Sequence, residues 1–447
     1  MFKKIITNST ILSIPGFLGI LISLISIPIH LNIAGPENYG NYIFFHFILT
    51  ISIILNFGIG KSTVISINNY PKFKKKICFE ALYYTKYILK IFLSICLLIF
   101  SIDHLIYNLN LNYSFFFYFI SGSIMTVIFV TLEGILQGYR KFKFISMMNL
   151  FFFSFSFSFP SILLFYYENL NLNNLILISI GIKFFSILIM YIFIENKNLV
   201  INIKSNILYI NLKKNSKWIT LNGILIQFYD LFDKYLIKFF LGPVALTTYS
   251  IPQQLTGKLT IISKSFSAFL LPDLSKKQSD NQDFEFSLRI FIKIVPIFIF
   301  VFFPIFPAIL ELWLGNSYDE KIYSLTKIFS LSVILSCASH ILITKFEAKK
   351  LLNQNLKIEL ILMPFFLLIL FFFTSNNFTL FSISILILFK ELILFFLRIN
   401  FFKKQIKRVY TYYFFPIAYL ILLTFSFLSN LLFYSLLIIL FLTVVKK

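Results

Sequence analysis

Long apolar runs separated by short polar segments make up almost the whole chain. About 20 apolar residues in a helix are needed to cross the hydrocarbon core of a bilayer, and roughly 14 runs reach that length. None shows the period-two alternation of a membrane-spanning β-strand. The pattern therefore predicts an all-α polytopic membrane protein with about 14 transmembrane helices. The predicted cores are approximately 10–31, 42–66, 82–101, 114–135, 144–166, 174–194, 218–240, 248–271, 290–313, 324–344, 357–373, 378–397, 411–428 and 430–445.

Basic residues occur in every second polar segment. Segments 32–41, 102–113 and 167–173 contain no Lys or Arg, whereas Lys72–Lys76 and Arg140–Lys143 are rich in them. Cytoplasmic loops carry an excess of Lys and Arg. The alternation predicts an even number of spans and both termini in the cytoplasm.

Composition narrows the possible functions. The chain has 447 residues, of which 58% are hydrophobic, and its net charge is +22. We attribute this charge to the cytoplasmic loops rather than to nucleic-acid binding, because no basic domain could hold a duplex. The three cysteines imply no disulfide framework. The loops are too short for an ATP-binding module or an extracytoplasmic catalytic region, and no phosphate-binding loop motif is present. We therefore expect no enzyme activity, no catalytic residues, no metal site and no nucleic-acid partner.

The first half of the chain is repeated in the second. A shift of 207 residues aligns Gly35-Pro36 with Gly242-Pro243 and Tyr42 with Tyr249. This register predicts two six-helix halves of the same orientation around a central cavity, as in transporters built from parallel repeats. The predicted divisions are an N-terminal bundle at 1–200, a cytoplasmic linker at 201–217, a C-terminal bundle at 218–398, and a basic linker with two added helices at 399–447.

Three stretches resemble a known family. They are IPGFLGILISLISIPIHLNIAGPENYGNY, LEGILQGYRKFKFISMMNL and the segment from Phe228 to Lys276. The chain resembles bacterial polysaccharide exporters and O-antigen-type flippases of the multidrug/oligosaccharidyl-lipid/polysaccharide exporter superfamily. The resemblance implies a protein that moves an undecaprenyl-pyrophosphate-linked glycan to the periplasmic leaflet, with cationic residues on spans one, two, seven and eight lining its cavity.

Span seven carries a polar stripe at helical spacing. Gln227, Asp230 and Lys234 lie on one face, three or four residues apart. Polar residues in a membrane helix face protein or water. We therefore interpret this stripe as part of a substrate site, or alternatively as an Asp230–Lys234 pair that joins helices. Asp233 lies one step off the stripe and is a candidate for binding a coupling ion, H⁺ or Na⁺.

Two lysines could bind the pyrophosphate. Lys61 and Lys264 lie in the cytoplasmic halves of spans two and eight, one turn apart in the repeat register. Ammonium groups suit a pyrophosphate as compact charges; the alternative is that each extends to the cytoplasmic headgroups. Other ionisable residues lie within predicted spans and need a partner or a cavity. These are His30, a candidate proton relay, Lys183, Lys238 and the pair Lys390–Glu391. Glu133 and Glu347 lie beside basic loops and are either paired with them or candidates for a gating role.

These observations favour a flippase or exporter of a lipid-linked oligosaccharide that works by alternating access. No cofactor is expected apart from a coupling H⁺ or Na⁺. The expected partners are the glycan lipid, membrane lipids, and polymerase or assembly proteins. Two alternatives remain. One is an ion-coupled multidrug exporter of the same superfamily, which the acids Asp230 and Asp233 favour. The other is a non-transporting membrane partner of an envelope glycan assembly complex.

Overall fold

Where the structure describes regular backbone, that backbone is helical. The computed structural model describes residues 2–102, 113–167, 169–196, 207–260, 282–349, 351–376, 378–403 and 409–428, with a few single positions between 261 and 281 and at 437. Within these residues there are α-, 3₁₀- and π-helices and no strand.

Fifteen α-helices are present in this part of the chain. They are α1 (Phe2–Ile51), α2 (Ile59–Asn69), α3 (Lys74–Ile102), α4 (Tyr113–Gly138), α5 (Phe142–Asn149), α6 (Ser156–Leu163), α7 (Leu172–Asn196), α8 (Ile207–Gly257), α9 (Gln282–Arg289), α10 (Val295–Phe302), α11 (Phe306–Leu314), α12 (Glu320–Ala348), α13 (Leu352–Ser375), α14 (Leu380–Phe401) and α15 (Val409–Leu428). Two π-helical segments, Leu150–Phe155 and Ile290–Ile294, join α5 to α6 and α9 to α10.

The fold class predicted from the apolar runs is confirmed. Among the described residues, eight helices are long and apolar enough to cross a membrane, or nine if Phe284–Val301 and Phe306–Ser317 form one bent span. A total near 14 is compatible with this number, since predicted span 430–445 lies outside those residues apart from position 437. The chain is therefore a multi-pass helical membrane protein.

The two long helices α1 and α8 share one backbone feature. Each contains a single glycine with non-helical angles, Gly35 (φ 81, ψ 165) and Gly242 (φ 87, ψ 173). Only glycine adopts this region readily. These two positions are 207 residues apart, which is the register of the proposed repeat. The two G-P turns that this register aligns therefore have nearly the same conformation. Tyr42 follows Gly35 in α1 and Tyr249 follows Gly242 in α8, and both tyrosines are fully buried.

The chain divides into two compact units. The N-terminal unit is Ile14–Tyr235, and the C-terminal unit is Leu236–Lys447 together with Met1–Ser13. Two apolar clusters fill the N-terminal unit, one around Phe129 and Phe152 and one around Tyr42 and Phe45. A larger cluster, built around α12, lies in the C-terminal unit. The divisions at 1–200 and 218–398 remain predictions; from Ile207 onward the predicted linker 201–217 is helical.

Predicted span two is not a continuous helix. Helix α1 ends at Ile51, a 3₁₀ turn covers Ile54–Asn56, and Phe57 and Gly58 both have positive φ before α2 begins at Ile59. Broken membrane helices are stable only where other groups satisfy the freed backbone. Here Asn56 does so: its side chain accepts from the Gly60 N–H at 2.9 Å and donates to the Val127 carbonyl and Thr131 Oγ1.

Close helix packing holds this break in place. A Cβ atom on Gly60 would lie 2.6 Å from the carbonyl oxygen of Val130, and one on Gly134 would overlap the Gly60 backbone. Helices α2 and α4 can therefore approach only because both positions are glycine. This packing fixes the start of α2, the helix that carries Lys61.

Candidate substrate and ion site

Asp233 and Lys234 form a buried ion pair on α8. Lys234 Nζ lies 3.4 Å from Asp233 Oδ1, and the two residues are 5% and 4% exposed. The same ammonium lies 4.8 Å from the ring centroid of Phe47 on α1, a cation–π contact. Asp233 Oδ1 also accepts from the Lys234 backbone N–H at 2.7 Å. The structure therefore brings the predicted coupling acid and a predicted substrate lysine into one pair inside the N-terminal unit.

The remaining residues predicted on spans seven and eight are placed only in part. The backbone of Gln227 and Asp230 belongs to α8, but their side chains lie outside the described part of the structure. Lys264 lies outside the described residues altogether. Pairing of Asp230 with Lys234 and a role for Lys264 thus remain predictions. Lys238, in the C-terminal unit, is partly buried rather than fully exposed.

Lys61 lies directly after the break in span two. It is the third residue of α2, and its side chain is exposed. Its charge interacts with that of Glu133 on α4. Glu133 Oε1 accepts from Gln137 Nε2 and from Asn149 Nδ2, both at 3.0 Å. Glu133 is thus a half-buried carboxylate tied to two amides, with Lys61 as its nearby cation.

Glu347, the gating candidate of the second half, lies near the end of its helix, as Glu133 does in α4. Glu347 is half-buried one residue before the end of α12 and takes part in an interaction there.

Lys390 and Glu391, predicted to form an ion pair with another helix, lie on α14 with Nζ and Oε1 3.1 Å apart. Lys390 also lies over the ring of Phe366 on α13 at 5.1 Å. Glu391 is thus an acid neighbour for Lys390 within its own helix.

A polar cluster inside the N-terminal unit was only partly foreseen. His30 is fully buried, with Nδ1 2.8 Å from Ser161 Oγ and Nε2 3.2 Å from Asn38 Oδ1. Its ring packs against Tyr42, which packs against His46. Lys183, on α7, interacts electrostatically with His46. The sequence predicts His30 as a proton-relay candidate, but no spacing in it links His30 to residues on α6 and α7.

Sequence reasoning missed a group of charges in the C-terminal unit. Arg398 Nη2 lies 2.6 Å from Glu359 Oε1, and Asn355 bonds to both at 2.9 Å. Lys327 Nζ donates to the Ser426 carbonyl at 2.8 Å. Lys345 has no exposed surface and lies 3.9 Å from the ring centroid of Phe284. Asn355 and Glu359 are four residues apart on α13, a helical spacing that could have signalled a shared face.

Three comparisons with known proteins describe the family and the fold. Residues 5–278 match the family model described as polysaccharide biosynthesis protein. A search of curated proteins finds no match. Among solved structures, a MATE transporter in complex with MaL6 has a TM-score of 0.66 at 13% identity, covering 90% of this chain and 97% of that one.

Two further solved structures agree with this result. A MOP superfamily transporter from Pyrococcus furiosus, reported with a binding pocket of reversed polarity that suggests a different function, has a TM-score of 0.64 at 13% identity; 90% of this chain and 96% of that chain are covered. The Vibrio cholerae MATE transporter VcmN in the bent form has a TM-score of 0.61 at 11% identity, with 92% and 99% covered. At such identities the likeness shows the fold alone.

Proposed function

Because the chain belongs to the family of polysaccharide biosynthesis proteins, we propose that it translocates an undecaprenyl-pyrophosphate-linked oligosaccharide. The unit would be a precursor of O-antigen, capsule or a related surface polysaccharide. It would pass from the cytoplasmic to the periplasmic leaflet of the bacterial inner membrane, by alternating access and without breaking a covalent bond. The observation that carries this proposal is the family match over residues 5–278, which include all five residues proposed for substrate binding.

The charges of those residues suit such a substrate. A pyrophosphate in a membrane needs cations, and lysine supplies a compact positive charge with three donors. Lys61 is exposed at the start of α2, and Lys234 is buried beside Asp233. In this proposal Lys61, Lys234 and Lys264 bind the pyrophosphate, while Gln227 and Asp230 contact the first sugars.

Asp233 is the proposed coupling residue, and its pairing suggests how coupling works. When the Asp233 carboxylate takes up H⁺ or Na⁺, its negative charge is neutralised and its attraction for the Lys234 ammonium becomes weaker. The ammonium is then free to bind the substrate's phosphate. Glu133 and Glu347 are proposed as gating residues, because each is a half-buried carboxylate near the end of a membrane helix.

The second candidate is an ion-coupled exporter of organic cations. The observation that favours it is the buried acid Asp233, together with the likeness to MATE folds. A related fold from P. furiosus is reported with a pocket of reversed polarity, so the fold alone does not set the charge of the substrate. The third candidate is a membrane partner of a glycan assembly complex that itself transports nothing.

Deletion of the gene tests the proposal. We expect lipid-linked glycan to accumulate on the cytoplasmic face of the inner membrane, and the wild-type gene to reverse this. Sidedness is measured by the access of a membrane-impermeant sugar-modifying reagent to intact spheroplasts and to inverted vesicles. An unchanged distribution after deletion would exclude the flippase function, and increased sensitivity to cationic drugs instead would support the multidrug exporter.

A further inference from the structure

Glu80 is a buried acid that no donor contacts. It is 7% exposed, and in the part of the chain that the structure describes, both of its carboxyl oxygens are buried without a hydrogen-bond partner. The ion pairs found in that part involve other acids, namely Asp233, Glu359 and Glu391. Glu80 therefore lacks the cation or donor that an ionised carboxylate needs inside a protein.

The position of Glu80 lies inside a membrane helix. It is the seventh residue of α3, so it stands about 9 Å along the axis from the start of that helix. The candidate membrane span of this helix, Lys74–Leu98, includes it. The basic segment that precedes it, with Lys72 and Lys75 exposed, is predicted to be cytoplasmic. The carboxyl group is thus within two helical turns of an exposed segment, yet is itself covered.

Neighbouring hydroxyl groups do not donate to this acid. Helix α3 packs against α2 and α4. Thr63 on α2, Thr85 on α3 and Thr131 on α4 each donate to the carbonyl four residues earlier in their own helix, at 2.7, 2.9 and 3.1 Å. Each hydroxyl has one hydrogen to donate. Ser66 Oγ on α2 is buried and is itself without a partner among the described residues.

The charged groups around α3 leave Glu80 without a close counter-charge. Lys76, half-buried one turn earlier on α3, acts on it electrostatically but does not come within hydrogen-bonding distance. On α4, Glu133 is bonded to two amides and responds to Lys61 of α2. Lys74 lies 5.9 Å from the centroid of the tyrosine ring that follows α4. An acid buried in this way is far less costly as the neutral form than as the ion.

We propose that Glu80 is a proton-binding site in the N-terminal unit and holds its proton, as a neutral carboxylic acid, at neutral pH. It differs in this from Asp233, whose carboxylate has the Lys234 ammonium as a partner. A conformation that admits water or a cation to Glu80 favours its ionised form, so such an opening releases the proton. No residue proposed to bind or couple the glycan takes part, and the site is therefore independent of the proposed function.

Infrared spectroscopy of the purified full-length protein at about pH 7 tests this site. A carboxylic acid and a carboxylate absorb at separate frequencies, so each variant shows which form it has removed. Glu80→Gln replaces the neutral acid by a neutral amide of about the same size. Relative to the wild type it should lose the C=O stretching band of one carboxylic acid, a band that shifts in D₂O, and no carboxylate band. The apolar variant Glu80→Leu should lose the same band.

Glu391→Gln is the matched control for the infrared measurement. Glu391 lies 3.1 Å from the Lys390 ammonium, so its removal should lose a carboxylate band and leave the acid band unchanged. An acid band of equal size in the wild type and both Glu80 variants would overturn the proposal. Loss of a carboxylate band from the Glu80 variants would overturn it as well.

The pH dependence of stability gives a second readout. Unfolding exposes Glu80 to water, where a glutamate ionises near about pH 4.3. At higher pH the folded state then holds one proton more than the unfolded state, so each pH unit raises the unfolding equilibrium constant by up to about tenfold. Glu80→Gln lacks this proton, and its Tm should gain on that of the wild type as the pH rises from about 5 to about 7. A difference in Tm that does not change with pH would contradict the proposal.

Discussion

At the scale of single residues, the two G-P turns are the clearest point at which sequence and structure agree. Gly35 and Gly242 have nearly the same backbone angles, in a region that costs other residues about 1–3 kcal/mol. Neither has any atom near the position of a Cβ, so the cost of a side chain would come from the backbone alone. The matched register could be predicted from sequence because both the glycine and its proline recur.

Gly35→Ala and Gly242→Ala should each destabilise the protein by about 1–3 kcal/mol. The measurement is the free energy of unfolding in mild detergent, or the shift in Tm. Gly181→Ala is the matched control: Gly181 lies within α7, has no positive φ, and also has free space at Cβ. Alanine there should be neutral or stabilising by up to about 1 kcal/mol. Equal effects at all three positions would refute the explanation from backbone conformation.

The Asp233–Lys234 pair gives a second prediction at this scale. Lys234→Met leaves a buried carboxylate without its cation and should cost about 3 kcal/mol of stability. Adding Asp233→Asn to that variant removes the buried negative charge, and should restore most of the stability. If the pair serves transport, the double variant should remain unable to export glycan. A double variant that is both stable and fully active would limit the pair to a structural role.

At the scale of elements, the break in span two is what the sequence did not predict. The apolar run continues from Ile43 across the break to Ile67, so hydrophobicity gave no sign of an interruption. Asn56, Gly58 and Gly60 were the local signals, since a buried Asn side chain can replace lost backbone hydrogen bonds and glycine allows positive φ. Lys61 was accordingly placed in the cytoplasmic half of one continuous span, whereas it stands at the start of a new helix.

Asn56→Ala should destabilise the protein by about 2–3 kcal/mol, because the Gly60 N–H, the Val127 carbonyl and Thr131 Oγ1 would all lose a partner. The change in Tm measures this. Asn376→Ala is the control, since the Asn376 amide bonds to a helix-end carbonyl at an exposed site and should change stability by less than about 0.5 kcal/mol. Comparable losses in the two variants would argue against a structural role of the Asn56 bonds.

Helices α13 and α14 supply a further prediction. Arg398→Met leaves Glu359 buried beside Asn355 without its cation, and should cost about 3–5 kcal/mol. The double variant Arg398→Met, Glu359→Gln should recover much of that loss, as measured by a double-mutant cycle of unfolding free energies. Additive losses would show that the two charges do not interact. No sequence signal linked Arg398 to Glu359, which lies 39 positions earlier, because their contact depends on how the two helices pack.

At the scale of the whole molecule, periodicity and charge sufficed for the class of fold, and the repeat indicated how the two G-P turns correspond. Which charged side chains pair with each other could not be predicted from periodicity and charge. Helical spacing offered Asp230 as a partner for Lys234 only as the alternative to a shared substrate site. The structure pairs Lys234 with Asp233 and places its ammonium over Phe47, a contact from another helix. The His30, His46 and Lys183 cluster likewise depends on the packing of α1 against α6 and α7.

Substrate translocation by the purified protein tests the central claim most directly. Undecaprenyl-pyrophosphate-linked glycan is placed in proteoliposomes, and the fraction accessible to an impermeant sugar-modifying reagent is followed with time. The account predicts that the wild-type protein moves the lipid between leaflets and that Lys264→Ala, folded and reconstituted to the same level, does not. A wild-type rate no faster than that of protein-free liposomes would contradict the flippase function, and a wild-type rate in Lys264→Ala would contradict the assignment of that lysine.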